Sequence, residues 1–341
     1  MRRAIVKRIE YYVPDNYEEN STEDSITGKI GILKRPIAGV DEFASDLAIL
    51  AANKLFDINS TLKKSEIDML IYCTQSPDYI LPTTACILQN ALDLSRNCAA
   101  FDVNLGCSGY VYGLSIAKAF VESGIANNIL LITSDTYSKY INKKDRSVKV
   151  LFGDGASATH VSWVDSDNEL IGPFIFGTDG SGKENLIIKA GGLKEPISNK
   201  SEIEEMDAYG NLRSRNNLYM NGTAIFNFAL KEVPAAIEGL LKLSGSTLEA
   251  YDRFVFHQAN KYMNESLRRR LKIPEEKFSL NMEHFGNTVS SSIPIALCED
   301  IRNNKIVGNN KLMLVGFGVG YSWAACNLII NNDKREEDEN E

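Results

Sequence analysis

AAFDVNLGCSGYVYGLSIAKAFVES, residues 99–123, decides the reading of this chain, because a buried strand there passes through a glycine-flanked thiol straight into a helix. Ala99 to Leu105 is an apolar run of strand length, and Tyr110 to Ser123 repeats its apolar residues at helical spacing. Gly106 and Gly109 allow a sharp backbone turn and the close approach of a reactant. Cys107 then stands at a helix N-terminus, where unpaired N–H groups and the macrodipole favour a thiolate. The expectation is a thiol pKa lowered from about 8.5 toward neutrality. The alternative is a structural cysteine buried in a tight turn.

Outward from this stretch the same alternation continues. Ile67 to Cys73 and Ile129 to Ser134 have the composition of buried strands, and Phe43 to Phe56 and Thr83 to Leu92 that of helices. The second half follows suit with a helix over Phe226 to Leu243 and strands over Arg253 to His257 and Lys311 to Val315. Strand–helix alternation of this kind predicts an α/β layered fold. The lettering FGDGASAT (Phe152–Thr159) resembles FGVGYSWA (Phe317–Ala324), and both are read as Gly-turn hairpins that follow one apolar strand and lead into another. That repetition suggests a duplicated half. Gly191 to Asn217 is polar and rich in Gly, Ser and Asn, and reads as a long surface excursion.

Two further junctions carry polar residues. The apolar run Phe254-Val255-Phe256 ends on His257-Gln258-Ala259-Asn260, ahead of a helical segment, KYMNESLRRRL. A histidine at the carboxyl end of an interior strand lies where α/β folds gather their ligands, although it could equally be a satisfied core histidine. Gly286-Asn287-Thr288 precedes a helical pattern over Val289 to Arg302, and taken singly is a turn leading to a helix cap. A thiol, an imidazole and a carboxamide at three such junctions make acyl transfer through a Cys–His arrangement the chemistry to test.

Composition narrows the field. The 341 residues are 44% hydrophobic, enough for a large core, and hold no apolar run of membrane-spanning length. The start, MRRAIVKRIEYYVP, lacks a signal-peptide core. Six cysteines without a CxxC pair predict neither a metal site nor a disulfide framework, and suit a reducing cytoplasm. A net charge of −8 argues against a nucleic-acid partner, and the acidic run Asn331 to Glu341 reads as a solvated, disordered tail.

Together the motifs resemble the β-ketoacyl-ACP synthase III group of the thiolase-like condensing enzymes. The letters that match are Asn104-x-x-Cys107-Ser108-Gly109, Phe152-Gly153-Asp154-Gly155-Ala156, His257-Gln258-Ala259-Asn260, Gly286-Asn287-Thr288 and Phe317-Gly318-x-Gly320, in that order, within a similarity running from about Glu23 to Ile330. The resemblance implies a five-layer αβαβα thiolase-like fold from two duplicated halves, 1–170 bearing the nucleophile and 171–330 the His and Asn, followed by the tail 331–341. It implies a decarboxylative Claisen condensation: Cys107 takes an acyl group from acyl-CoA or acyl-ACP, His257 and Asn287 stabilise the enolate from malonyl-ACP, and the backbone N–H groups of Cys107 and Val319 form an oxyanion hole. Arg146 and Asn260 match CoA contacts, and Lys29 stands at a third such position. Ser25 replaces the family's adenine-stacking Trp and Tyr262 replaces a contact Arg, which puts acetyl-CoA in doubt as the first donor. Leu81 resembles a residue that reaches the partner's acyl pocket in a homodimer. Arg269 and Arg270, in the basic run 268–272, are expected to dock an acidic acyl carrier protein, the alternative being a solvated helix face. No cofactor is implied beyond the coenzyme A or phosphopantetheine thioesters that serve as substrates, and no metal, nucleic acid or membrane. Two other functions fit the same letters: acyl transfer or non-decarboxylative condensation in secondary metabolism or surface-polysaccharide acylation, and a non-catalytic partner subunit.

Overall fold

The computed structural model describes residues 1–21, 25–59 and 61–331. The expected disordered tail lies outside the described residues from 332 onward, as does the side chain of Ser25. In chain order the first half runs β1 (Arg2–Tyr12), β2 (Tyr17–Glu19), α1 (Ser25–Ile30), β3 (Lys34–Pro36), α2 (Ala44–Ile58), β4 (Met69–Cys73), α3 (Thr84–Ala91), β5 (Ala99–Val103), α4 (Gly109–Glu122), β6 (Asn128–Asp135), α5 (Arg146–Lys149) and β7 (Gly155–Asp165). The second begins with β8 (Ile171–Thr178) and the short pieces β9 (Leu186–Ile187), β10 (Glu205–Met206), β11 (Leu212–Arg213) and β12 (Tyr219–Met220). It continues through α6 (Gly222–Ser244), β13 (Arg253–Phe256), α7 (Lys261–Arg270), α8 (Ser292–Arg302), β14 (Asn309–Gly318) and β15 (Ser322–Asn331).

Two sheets organise these elements. One has the order β1-β7-β6-β4-β5 and the other β8-β15-β14-β13. Their pairings match: β1 to β7 and β7 to β6 are antiparallel and β6 to β4 parallel, as β8 to β15, β15 to β14 and β14 to β13 are in turn. Even β5 has a trace in the second sheet, where Phe254 forms a parallel bridge to Phe278. The repeated topology is what a duplicated half predicts.

The layers follow from strand alternation. Leu70, Tyr72, Leu130 and Ile132 point to one side, against α2 and α3, while Met69, Ile71, Ile129 and Leu131 point to the other. That second side meets Tyr110, Val111, Leu114, Ala117 and Val121 of α4 and Ile293, Ala296 and Leu297 of α8, which in turn touch Leu312, Leu314, Ala324 and Cys326 of the second sheet. The remaining face of that sheet, with Phe254, Phe256, Met313 and Val315, carries α6 and α7. The order is therefore αβαβα, the expected five layers. Each fully buried leucine or isoleucine contributes about 1.5–3 kcal/mol, so the central pair, buried on both sides, holds the sheets together.

One expectation fails. Phe152–Thr159 does not close a tight hairpin, because residues 136–154 separate β6 from β7 and include α5. The apolar letters of Val148 to Leu151 suggested a strand, but the Asp145 side chain accepts the Ser147 N–H at 3.0 Å and starts a short helix instead. The second copy of the motif does form the β14–β15 hairpin, with Gly318 paired to Ser322. Gly191 to Asn217 is the surface excursion the composition suggests, pinned by the Arg213–Asp145 pair at 2.5 Å and the Arg215–Glu195 pair at 2.5 Å.

Candidate active site

Cys107 lies in the turn between β5 and α4, packed against the end of β14. That packing leaves no room for a side chain at two positions near the end of β14: a Cβ at Gly318 would fall 2.7 Å from Cys107 Sγ, and one at Gly316 would fall 2.8 Å from the Cys107 carbonyl oxygen. The two halves are also joined at this point by the Ser108 and Ser322 hydroxyls, 2.7 Å apart and buried. The N–H groups of Val319 and of Cys107 itself are directed at the sulfur and favour its anion.

The expected lowering of the thiol pKa is nevertheless reversed. Complete burial pushes Cys107 up to about 12, against the help of those two amides, with the Asp135 charge adding to the rise. The helix start offers little in return, since the Gly109 and Val111 N–H groups are taken by the Gly106 and Ser108 carbonyls. The resting form is the thiol.

His257 follows the last residue of β13, and its N–H donates to the Val315 carbonyl at 2.8 Å, in register with β14. Burial lowers its pKa to about 3, so the imidazole is neutral throughout the physiological range. Its ring stands edge-on to Phe317 at 5.6 Å. Nδ1 lies 2.7 Å from Ser292 Oγ, and the same hydroxyl oxygen accepts the Gln258 N–H at 3.3 Å. Nδ1 is the acceptor available to that hydroxyl among the described residues, so Ser292 donates to it and the ring proton sits on Nε2. A neutral imidazole held this way has its Nε2–H as a hydrogen-bond donor.

Asn287 is clamped by its backbone between residues 151 and 153. Its N–H donates to the Leu151 carbonyl at 2.8 Å, and its carbonyl accepts from the Gly153 N–H at 3.1 Å. The side-chain Oδ1 accepts from the Val289 N–H at 2.9 Å, which leaves Nδ2 as the donor. Val289 holds φ +53°, a conformation that costs a β-branched residue on the order of 1–3 kcal/mol and fits the clustering of strain at functional sites.

Gly106 shows how these loops meet. A Cβ there would fall 2.5 Å from Gln75 Oε1, 2.8 Å from Val319 Cγ1 and 3.3 Å from Val289 Cγ1. The nucleophile turn, the Val319 turn and the Asn287 loop thus close on one point, with Phe317 bringing in His257. Beneath them Asp135 ties the halves: Oδ1 accepts the Gln75 N–H at 2.8 Å, and Oδ2 accepts the Ser290 hydroxyl at 2.5 Å. Burial raises its carboxyl to about 7.

Beside this centre is a cleft of about 750 Å³ lined by Lys29, Arg146 and Asn260 together with Tyr262, Phe226 and Leu151. The Asn287 loop adjoins that lining, the Asn287 N–H donating to the Leu151 carbonyl. The three residues matched to CoA contacts therefore share one cleft. Asn260 uses its Oδ1 to cap α7 through the Met263 N–H at 2.9 Å, which leaves Nδ2 for a ligand. Tyr262, where the resemblance expects an Arg, stacks on Phe226 with ring centroids 5.3 Å apart.

The other expected residues lie apart from it. Leu81 is 79% exposed on a loop with the exposed Tyr79 and Ile80, and does not line the cleft that holds Lys29, Arg146 and Asn260. Arg269 and Arg270 are exposed on α7, Arg269 pairing with Glu265 at 3.4 Å, whereas Arg268 turns inward to Glu265 at 2.8 Å and the Ile273 carbonyl. Ser292 and Asp135 are the functional residues that the sequence reading missed. The hydroxyl run Ser290-Ser291-Ser292 directly before an apolar helix was the available signal for the first. Asp135 closes a strand as polar residues do at the other two junctions. Among the described residues no cluster of His, Cys, Asp or Glu is placed to hold a metal ion, and no helix is long and apolar enough to cross a membrane.

Comparison with known proteins bears on the family and the fold. Residues 101–180 match the family model for 3-oxoacyl-[acyl-carrier-protein (ACP)] synthase III, and residues 241–330 match the model for its C-terminal part. The beta-ketoacyl-[acyl-carrier-protein] synthase III of Caldanaerobacter subterraneus subsp. tengcongensis is 39% identical over 306 residues, 90% of this chain and 89% of that one. A solved 3-oxoacyl-(acyl-carrier-protein) synthase III superposes with TM-score 0.94 at 49% identity, covering 96% of this chain and 100% of the other. The 3-oxoacyl-(acyl-carrier protein) synthase of Burkholderia xenovorans LB400 gives TM-score 0.88 at 34% identity, with 97% and 95% covered. Likeness of this extent, in sequence and in fold, makes the chain a member of the 3-oxoacyl-[acyl-carrier-protein] synthase III family.

Proposed function

We propose that this protein condenses an acyl thioester with malonyl-ACP, with loss of carbon dioxide, to give a β-ketoacyl-ACP. The reading is supported by the loops that meet at Gly106: one brings the Val319 N–H to the Cys107 sulfur, another carries Val289 and, two residues before it, Asn287 with its Nδ2–H, while Phe317 at the end of β14 packs on the neutral His257 ring. The sulfur of Cys107 attacks the acyl carbonyl, the carrier leaves as a thiol that takes up the Cys107 proton, and an acyl-Cys107 thioester remains. Malonyl-ACP then loses carbon dioxide, and the bonding electrons pass into an enolate. His257 and Asn287 donate to the enolate oxygen without changing charge, which suits an imidazole whose pKa of about 3 unfits it as a proton source. The enolate carbon attacks the acyl-Cys107 carbonyl, whose oxygen the N–H groups of Cys107 and Val319 receive, and collapse expels the Cys107 thiolate. No resident cofactor enters these steps, since coenzyme A or phosphopantetheine arrives with the substrate.

The further assignments belong to the same reading. Residues 1–170 supply the nucleophile and 171–330 the enolate donors; Lys29, Arg146 and Asn260 receive the thioester carrier; Arg269 and Arg270 attract acyl carrier protein. Leu81 reaches the partner's acyl pocket in a homodimer, and the enzyme works in the cytoplasm. The test is to load Cys107 with labelled acyl donor and then add malonyl-ACP. His257→Ala and Asn287→Ala should still become acylated but release carbon dioxide at least a hundredfold more slowly, as removal of an oxyanion donor does. Carbon dioxide release unaffected by either change would remove His257 and Asn287 from the decarboxylation, and acylation without any carbon dioxide release in the wild type would leave simple acyl transfer as the function.

A further inference from the structure

Gln75 enters none of the steps above, yet its side chain bears on the turn that presents the nucleophile. It lies two residues beyond β4, and Asp135 Oδ1 fixes its own N–H at 2.8 Å. Both ends of its carboxamide are engaged. Oε1 accepts the Tyr137 hydroxyl at 2.6 Å, and Nε2 donates to Asn104 Oδ1 at 3.3 Å, three residues ahead of Cys107. Tyr137 is buried and packed on Phe152 and Tyr140, with ring centroids 5.3 Å and 6.4 Å away, so the phenol is a rigid support for the amide.

The consequence falls on Gly106. A Cβ there would lie 2.5 Å from Gln75 Oε1 and 2.8 Å from Val319 Cγ1, so the amide oxygen and Val319 take up the space a side chain would need. The Gly106 carbonyl is held at the same time by the Gly109 N–H at 2.7 Å. The peptide between Gly106 and Cys107 carries the Cys107 N–H, one of the two donors directed at the sulfur. With its carbonyl bonded and the glycine braced by Gln75, that peptide keeps one plane and its N–H one direction. A donor set in advance stabilises an oxyanion without reorganising as charge develops. A neutral amide also suits the place, since a carboxylate there would repel the developing oxyanion.

We propose that Gln75 is a positioning residue for the oxyanion hole: supported by Tyr137 and Asn104, it fixes the Gly106–Cys107 peptide so that the Cys107 N–H meets the acyl oxygen as the sulfur attacks. This deepens the reading of Cys107 as an acyl acceptor and rests on it, and it gives a role to a residue outside the motifs that carry the family resemblance.

The experiment follows two reactions of the same sulfur in the full-length protein: acylation by acyl-CoA or acyl-ACP, read by intact mass, and alkylation by iodoacetamide, which builds no oxyanion. In Gln75→Ala the plateau rate of acylation should fall about tenfold to a hundredfold, between the effect of one hydrogen bond and that of a lost oxyanion donor, with the half-saturating donor concentration unchanged. Alkylation should keep its wild-type rate. Tyr137→Phe, which removes the support at Oε1, should cause part of the same loss, and the double variant should be no slower than Gln75→Ala, because both changes act through one amide. Unchanged acylation in Gln75→Ala overturns the proposal. So does a loss shared equally by acylation and alkylation, which would make Gln75 a packing residue, and so do losses that multiply in the double variant. Each of these leaves Cys107 as the acyl acceptor, whereas a wild type that is alkylated but takes an acyl group from neither donor overturns that reading and the proposal with it.

Discussion

At the scale of single residues, the site depends on protons that burial has moved away from their ordinary positions. His257 is neutral because it is buried, and the hydroxyl of Ser292 decides which nitrogen bears its proton. Ser292→Ala should leave acylation of Cys107 intact and slow carbon dioxide release roughly tenfold, the value of one buried hydrogen bond converted to a rate. Acylation and decarboxylation slowed by the same factor would place Ser292 in the packing and not in the orientation of the ring. Asp135 behaves in the opposite sense to most carboxylates. Between its ordinary pKa near 3.9 and about 7 the folded chain keeps a proton that the unfolded chain has lost, so this group makes stability fall as pH rises through that window. Asp135→Asn should therefore improve relative to the wild type by about 3 kcal/mol between pH 5 and pH 8 in urea unfolding. A difference independent of pH would mean that the carboxyl is not held neutral by burial.

At the scale of elements, what could be read in advance was whatever repeats along the chain. The apolar runs of strand length and the amphipathic α2 and α4 announced themselves in their letters, and with them the three junctions where Cys107, His257 and Asn287 stand. Less legible were features that depend on who packs against whom. The Val148–Leu151 run has a strand's letters but begins at a helix cap, and the pKa of Cys107 depends on burial by β14, far away in sequence. The end of β14 offers the sharpest test of an element built for the site. Gly318→Ala sets a methyl 2.7 Å from the nucleophile's sulfur, so the turn must shift, at a cost of about 1–3 kcal/mol in stability. Acylation of Cys107 should fall by more than a hundredfold, since a displacement of the order of 1 Å is enough for that, while circular dichroism remains that of the folded protein. Normal acylation in that variant would show that β14 does not position the sulfur.

At the scale of the whole molecule, duplication makes two sheets but not two independent bodies. α4 comes from the first half and α8 from the second, yet both are buried between the sheets, sharing one apolar cluster with β4, β6, β14 and β15. Exposing that layer by removing either half would uncover Tyr110, Leu114, Ile293 and Leu297, each worth about 1.5–3 kcal/mol of burial. Polar ties run across the same boundary, at Ser108 to Ser322 and from Asp135 to Ser290. The halves should therefore unfold together, in one transition that coincides by fluorescence and by circular dichroism. Leu114→Ala, which leaves a cavity in the shared layer at a cost of about 2–5 kcal/mol, should lower that single midpoint without splitting it. Two resolved transitions, with the active-site thiol becoming reactive at the first, would show instead that the halves hold their own cores and that the catalytic set is assembled only by docking.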